Sequence, residues 1–429
     1  MRAQRLMLFG VLPSRVLANI GALGLTSATL GLSYFILSVG VARELGVAEL
    51  GLFSVAVTIS LFANRVAESG IHQIVVRELS RSPETSDRIT AAGIHARLIT
   101  AGAAFLVALV GLIVVAATAE LIVVTLLLTA FVVLHGIARV FLAFTHAELR
   151  MGVETAVLMP SSVLIMAVGW LILGLGNGLV GLAWVYAAAG VLEVSVAWSL
   201  ACRHLGNPLS AGGSFSPGSI LRASWPIGMA GLAAFLYYRI DTLMLSRLVG
   251  DAVTGVYNMA FNLLYIPNLI FWALTGAAFP LLAAASTERD QSRLVGMYRR
   301  LVVAGLAVGL LVAFIYPVRG TVLSIAYGPV GGDASPVLTW LLLSQVFSFV
   351  AAAGGTTMNA TGRQVGAMVV GLSGLVVNVG LNAVLIPKLG AVGAAQATLA
   401  TEALVALVAV GMLWKTGLPL RGALAHAST

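Results

Sequence analysis

A small set of polar side chains sits inside long apolar stretches of this sequence, and their spacing limits the chemistry open to them. Arg239 and Asp241 stand two positions apart in Tyr237-Tyr238-Arg239-Ile240-Asp241. Two residues turn a helix by about 200°, so these groups cannot pair on one face. Each must find a partner on another helix, reach an interface, or serve a ligand. His135 and Arg139, four apart, share one helix face. That face is either a cation snorkelling to the interface or a cationic lining for an anionic headgroup. Arg65 and Glu68, three apart, are spaced to neutralise each other. Glu193 and Glu402 each stand alone in the last helix of their half. A carboxylate there is protonated, paired across helices, or part of a proton or cation path. Asn258, Asn262 and Tyr265 form an i, i+4, i+7 stripe ended by Pro267, and Asn378 with Asn382 forms a shorter one. Such stripes join helices or line a sugar path. Gly305 and Gly309 are spaced for close helix packing.

The elements that hold these groups must be membrane helices. Hydrophobic residues make up 59% of the 429, and charged residues 9%, with a mean hydropathy of +1.02. A water-soluble domain carries about 25% charge. A span needs roughly 20 apolar residues. Twelve can be laid down, near 17–40, 49–70, 97–118, 121–145, 153–175, 179–202, 222–246, 252–283, 298–317, 335–359, 364–386 and 391–414. With the N-terminus inside, seventeen Arg and Lys fall in inside connections, against Arg43, Arg247, Arg319 and Lys388 outside. The positive-inside rule then places both termini in the cytoplasm. Arg2 and Arg5 precede no compact apolar core with a small-residue cleavage site, so the N-terminus reads as retained.

Several function classes drop out. The net charge of +8 is dispersed through short loops, which suits anionic lipid and not nucleic acid. A single cysteine, Cys202, excludes an internal disulfide and cysteine-rich metal sites. Gly176-Asn177-Gly178-Leu179-Val180-Gly181 matches a dinucleotide fingerprint in letters, but no strand precedes it and no acidic residue follows about 20 further on, so it reads as a turn. Asn359-Ala360-Thr361 is a glycosylation sequon on the inside. No Walker A motif, zinc spacing or nucleophile elbow occurs, and no connection has room for a catalytic domain. The expectation is a transporter without a cofactor, and not an enzyme.

The chain also repeats itself. Arg43-Glu44-Leu45-Gly46-Val47-Ala48-Glu49-Leu50-Gly51-Leu52-Phe53 aligns with Arg247-Leu248-Val249-Gly250-Asp251-Ala252-Val253-Thr254-Gly255-Val256-Tyr257 at a constant offset of 204. A second echo, Gly178–Ala183 with Gly390–Ala395, has an offset of 212. The Gly, Ser and Pro of Arg203–Pro217 mark the boundary, giving halves 1–205 and 206–429. Six spans per half imply the same orientation for both copies, with a pseudo-twofold axis along the membrane normal. Asp241 has the apolar Leu37 as its counterpart, so the halves differ chemically.

Tyr238–Asp251, continuing through Gly255-Val256-Tyr257-Asn258-Met259-Ala260, resembles the polysaccharide-transporter branch of the multidrug/oligosaccharidyl-lipid/polysaccharide exporter superfamily. Arg77-Glu78-Leu79-Ser80-Arg81 and Ala147-Glu148-Leu149-Arg150 share the resemblance, which covers nearly the whole chain. It implies an all-α bundle of twelve helices in two lobes around a central cavity, working by alternating access. It further implies flipping of an undecaprenyl-pyrophosphate-linked oligosaccharide across the bacterial inner membrane for lipopolysaccharide or exopolysaccharide synthesis. Arg139, Arg239, His135 and Arg65 become candidates for the pyrophosphate, Asn258, Asn262 and aromatic groups for the glycan, and Asp241 for either cargo or coupling. Glu193, Asp241 and Glu402 are the candidates for ion or proton coupling. Lipid-linked glycan, membrane lipids, and glycan polymerase and export proteins are the implied partners. The alternatives are a cation-coupled exporter of small organic cations, with a more acidic cavity, and a membrane glycan polymerase or ligase, which needs a larger outer loop than Pro317–Ser335.

Overall fold

The computed structural model describes residues 14–207, 216–288 and 290–415. Arg2, Arg5, Arg421 and positions 208–215 of the expected boundary segment lie outside the described residues. Those that are described form helices joined by turns, with no strand. In chain order these are α1 (Ser14–Glu44), α2 (Val47–Glu68), α3 (Ile71–Arg81), α4 (Ser86–Val114), α5 (Ala119–Phe141), α6 (Ala143–Ala147), α7 (Met151–Gly174) and α8 (Gly178–Leu205). There follow α9 (Pro217–Val249), α10 (Asp251–Leu263), α11 (Tyr265–Thr287), α12 (Gln291–Ala313), α13 (Arg319–Tyr327), α14 (Ser335–Ala360) and α15 (Gln364–Lys415).

Among the described residues, nine stretches are long and apolar enough to cross a membrane. Two of them, Gln291–Ala360 with 70 residues and Gln364–Lys415 with 52, exceed one crossing, which needs about 20 residues. α15 divides into two legs at Gly390, whose φ of 56° and ψ of −133° are not helical; Pro387, without an N–H, weakens the same turn. The expected eighth span is two helices, broken at Leu264 with Pro267 in the first turn of α11, where its missing donor costs nothing. The expected third span starts earlier than position 97, because α4 runs from Ser86. Gly176 and Gly178 have φ of 77° and 64°, so the apparent dinucleotide fingerprint is the turn between α7 and α8.

The chain folds as two compact units. Unit 1 comprises Met1–Leu45 and Val55–Phe235, and unit 2 comprises Gly46–Ser54 and Leu236–Thr429. In unit 1, α5 packs on α8, and α1 and α8 on α7. The turn after α2 meets the first half of α9 there: a Cβ on Gly228 would lie 2.4 Å from Ser69 Cα. In unit 2, α14 lies between α12 and α15. Phe271, Tyr298 and Phe349 anchor its core. Gly305 lets Phe271 and Phe349 approach, and Gly309 sits against the Val346 backbone, the close packing expected of this pair.

The repeated segments meet inside unit 2. A Cβ on Gly51 would be 1.9 Å from the Asp251 carbonyl oxygen, and one on Gly255 would be 1.9 Å from that of Val47. The two contacts interchange under the 204-residue offset. Gly46 and Gly250 turn the chain with φ of 104° and 91°, a region open to glycine. Phe53 and Tyr257, and Ala56 and Ala260, are at most 1% exposed, so equivalent positions are buried in both copies.

Candidate functional site

Six successive helices of unit 1 each deliver one ionisable side chain to a single cluster. Glu68 ends α2, His72 begins α3, Arg97 lies on α4, Arg139 on the last turn of α5, His146 on α6 and Glu154 on the first turn of α7. Short junctions between these helices are what bring the ends together. Arg139 donates through Nε to Glu154 Oε1 at 3.3 Å and through Nη1 to Glu68 Oε1 at 3.5 Å. His146 Nε2 bonds the other oxygen of Glu154, and the His72 ring stands edge-on to His146 with centroids 4.9 Å apart. Arg97 Nη2 donates to Asn64 Oδ1 at 2.6 Å and to the Val132 carbonyl at 3.5 Å. Arg97 is 1% exposed and Glu154 2%, so this is a buried charge network and not a surface pair. Gly136 makes room for it, since a Cβ there would lie 1.8 Å from Arg97 Nη2.

Three expectations are revised here. The Arg65–Glu68 pair is not made: Glu68 turns to Arg139, and Arg65 lies over the Phe235 ring at 5.7 Å. Arg139 does not snorkel; two carboxylates hold it from α2 and α7. Arg97, counted among the inside-loop charges, is instead inside α4 and fully buried. His72, Arg97, His146 and Glu154 were missed because same-helix spacing shows only neighbours on one helix. Glu154, a lone carboxylate opening an apolar span, was the available signal.

His135 and Arg139 part company. His135 Nδ1 bonds Glu193 Oε2 at 2.7 Å, and Ser161 Oγ donates to Glu193 Oε1. Glu193, 2% exposed, is thus fastened by α5 and α7. In unit 2, Tyr237 OH donates to Glu402 Oε1 at 2.8 Å, and Ser348 bonds the same carboxyl group. Each last-helix carboxylate therefore has partners on two other helices.

Arg239 and Asp241 do not pair, as their spacing requires. Asp241 accepts from the Thr242 backbone at 2.8 Å and from Tyr257 OH, and Tyr257 OH also bonds Thr398. Arg239 Nη1 donates to Asn258 Oδ1 at 3.4 Å. Its guanidinium lies 4.8 Å from the Phe261 ring centroid and 5.6 Å from that of Tyr238. Asn382 donates to Asn378 at 2.9 Å, so that pair ties one helix to itself. Asn262 is buried with neither amide atom bonded by the described protein. Among the described residues no group of three His, Cys, Asp or Glu is placed to hold a metal ion.

Tyr257→Phe tests the Asp241 arrangement. It removes a donor from a carboxylate that is 4% exposed and should cost about 1–3 kcal/mol. Asp241→Asn in the same background should restore part of that loss, because the amide carries no charge to satisfy. Chemical unfolding of the purified protein in micelles checks both.

A family profile described as "Polysaccharide biosynthesis protein" matches residues 16–286, and one described as "MatE" matches 226–384. A curated relative, the "Probable low-salt glycan biosynthesis flippase Agl15" of Haloferax volcanii, is 23% identical over 393 residues, covering 89% of this chain and 78% of its own length. The solved lipid II flippase MurJ, in an inward closed conformation, shares the fold with a TM-score of 0.73 at 13% identity, over 91% of this chain and 86% of its own. An inward-facing multidrug resistance MATE family transporter of the MOP superfamily has a TM-score of 0.68 at 19% identity, over 94% and 96%. A profile matching more than half the length, joined to this all-helical membrane architecture, makes the chain a member of the polysaccharide biosynthesis protein family, a multi-pass membrane transporter of the flippase branch of the MOP superfamily.

Proposed function

We propose that this transporter carries a lipid-linked oligosaccharide or polysaccharide precursor, of the undecaprenyl-pyrophosphate type, across the bacterial inner membrane by alternating access. Arg239 is the observation that carries the reading. It is a half-buried cation flanked by Phe261, Tyr238 and Asn258, and among the described residues no carboxylate lies within ion-pair distance of it. Its fork suits a phosphate, and neighbouring rings and amides suit a sugar. The prenyl tail stays in lipid while the headgroup crosses. No covalent bond is made or broken, so the protein is not an enzyme in this reading. Both termini are cytoplasmic, and the product passes outside to glycan polymerase and export proteins. Drive comes from an ion or proton gradient acting on Glu193, Asp241 or Glu402, or from consumption of product outside.

Deleting the gene should cause one lipid-linked glycan intermediate to accumulate on the cytoplasmic side. Wild-type protein should clear it, and Arg239→Ala made at equal level should not. The second reading, a cation-coupled exporter of organic cations, is favoured by the "MatE" match over 226–384 and by the carboxylates of Asp241 and Glu402 in unit 2. A deletion strain with no accumulated intermediate and raised drug sensitivity establishes that reading and ends the first.

A further inference from the structure

We propose that the charge cluster of unit 1 is a phosphate-binding site that works by carboxylate exchange, an incoming phosphate taking Arg139 from Glu68 while Glu68 moves to the unpartnered donors of Arg97. The choice of cargo phosphate as ligand rests on the flippase reading above; the exchange itself rests on the geometry.

The buried part of the cluster balances when both imidazoles are neutral, Arg97 and Arg139 facing Glu68 and Glu154, and the exposed Arg65 beside Glu68 adds the positive charge that draws an anion to this edge. Access is graded across the cluster. The Arg139 and Glu68 side chains are 30% and 20% exposed, that of Glu154 3%, and Arg65 is exposed. A ligand can therefore reach the Arg139–Glu68 edge and nothing deeper. The two carboxylates are held unequally. Glu154 is fixed by Arg139 and His146 together, whereas Glu68 has one long contact of 3.5 Å to Arg139. Glu68 is thus the group that can leave. It also has somewhere to go, because it lies in the field of Arg97. Arg97 Nε and Nη1 are buried with no partner in the described protein, and a carboxylate arriving there gives one of these donors an acceptor. Phosphate, with more charge and three acceptor oxygens, replaces Glu68 well on the exposed forks of Arg139 and Arg65. Arg97 is accordingly a positioning residue that never touches the ligand.

The test is a double-mutant cycle read by calorimetric titration of inorganic pyrophosphate into the protein in phosphatidylcholine nanodiscs. Glu68→Gln should bind pyrophosphate about tenfold tighter than wild type, since the competitor is gone. Arg97→Gln should bind about tenfold weaker in the wild-type background and lose clearly less in the Glu68→Gln background, where only its field is removed. Should Arg97→Gln not give monodisperse protein, Arg97→Lys, which keeps the charge but loses the fork, should show a smaller loss with the same background dependence. An Arg97 effect of equal size in both backgrounds means a plain field effect and overturns the exchange while leaving the flippase reading intact. Failure of every variant to bind pyrophosphate overturns the phosphate site altogether. Nanodiscs doped with polyprenyl diphosphate should compete and those doped with phosphatidylglycerol should not; the reverse result gives the site to bulk lipid and overturns its assignment to cargo.

Discussion

Gly255→Val should lower the unfolding temperature sharply and abolish transport, and Gly51→Val should do both to the same degree. The equality is the informative part. In each case the new Cβ would lie 1.9 Å from a backbone carbonyl oxygen, of Val47 for Gly255 and of Asp251 for Gly51. A backbone atom cannot rotate aside, so the two helix starts must separate. Overpacking of a well-packed site costs about 1–3 kcal/mol, and displacing buried Tyr257 and Phe53, 0% and 1% exposed, adds to it. Helix propensity pulls the other way by about 1 kcal/mol when glycine becomes alanine. Gly255→Ala should therefore be milder than Gly255→Val but still destabilising. Gly276→Ala, at a helical position with nothing within 4 Å of the added Cβ, is the control and should be neutral or slightly stabilising. Thermal unfolding in micelles, with flux in the deletion strain, reads both effects; unequal losses at 51 and 255 would show that the two contacts are not equivalent.

Glu154→Leu should be the most damaging change in unit 1. It leaves Arg139 with only its 3.5 Å contact to Glu68 and removes the acceptor of His146. Breaking one side of a buried ion pair costs about 3–5 kcal/mol, because the remaining charge stays in low dielectric. Glu154→Gln keeps an acceptor oxygen and should cost less. Adding Arg139→Met to Glu154→Leu removes the stranded cation and should recover part of the loss. Chemical unfolding of the wild type, Glu154→Leu, Arg139→Met and the double variant gives the coupling directly. A stable Glu154→Leu single variant would mean that Glu68 and the accessible edge of the cluster suffice to hold Arg139 without Glu154.

The sequence exposed the helical membrane architecture and the duplication because both are written locally. An apolar run of span length needs no partner to be recognised, and the Gly46–Gly51 and Gly250–Gly255 turns are alike letter by letter. The polar site was legible only in its members. Asp241 and Arg239 were correctly separated, because a two-residue step fixes their faces. Glu68 was paired with Arg65 because those two share a helix, yet its guanidinium comes from Arg139 on α5. His135 and Arg139 share a face and still serve different carboxylates, on α8 and on α2 with α7. In a bundle, partner choice is set by which helices are neighbours, and that information is carried by packing. Gly136 shows the point: its meaning appears only once Arg97 is seen lying against it.

The meeting of the two repeats also sets an order of assembly. Gly46–Ser54 belongs to unit 2, but it is synthesised 204 residues before the Asp251 turn it packs against. At roughly 5–20 residues per second, the first turn waits about 10–40 s in the membrane with its small-residue face uncovered. Unit 2 cannot close until the chain returns. A ribosome that stalls, or a gene cut between the halves, leaves a protein whose later part lacks a piece already made, and quality control of this transporter should act on that unclosed glycine contact.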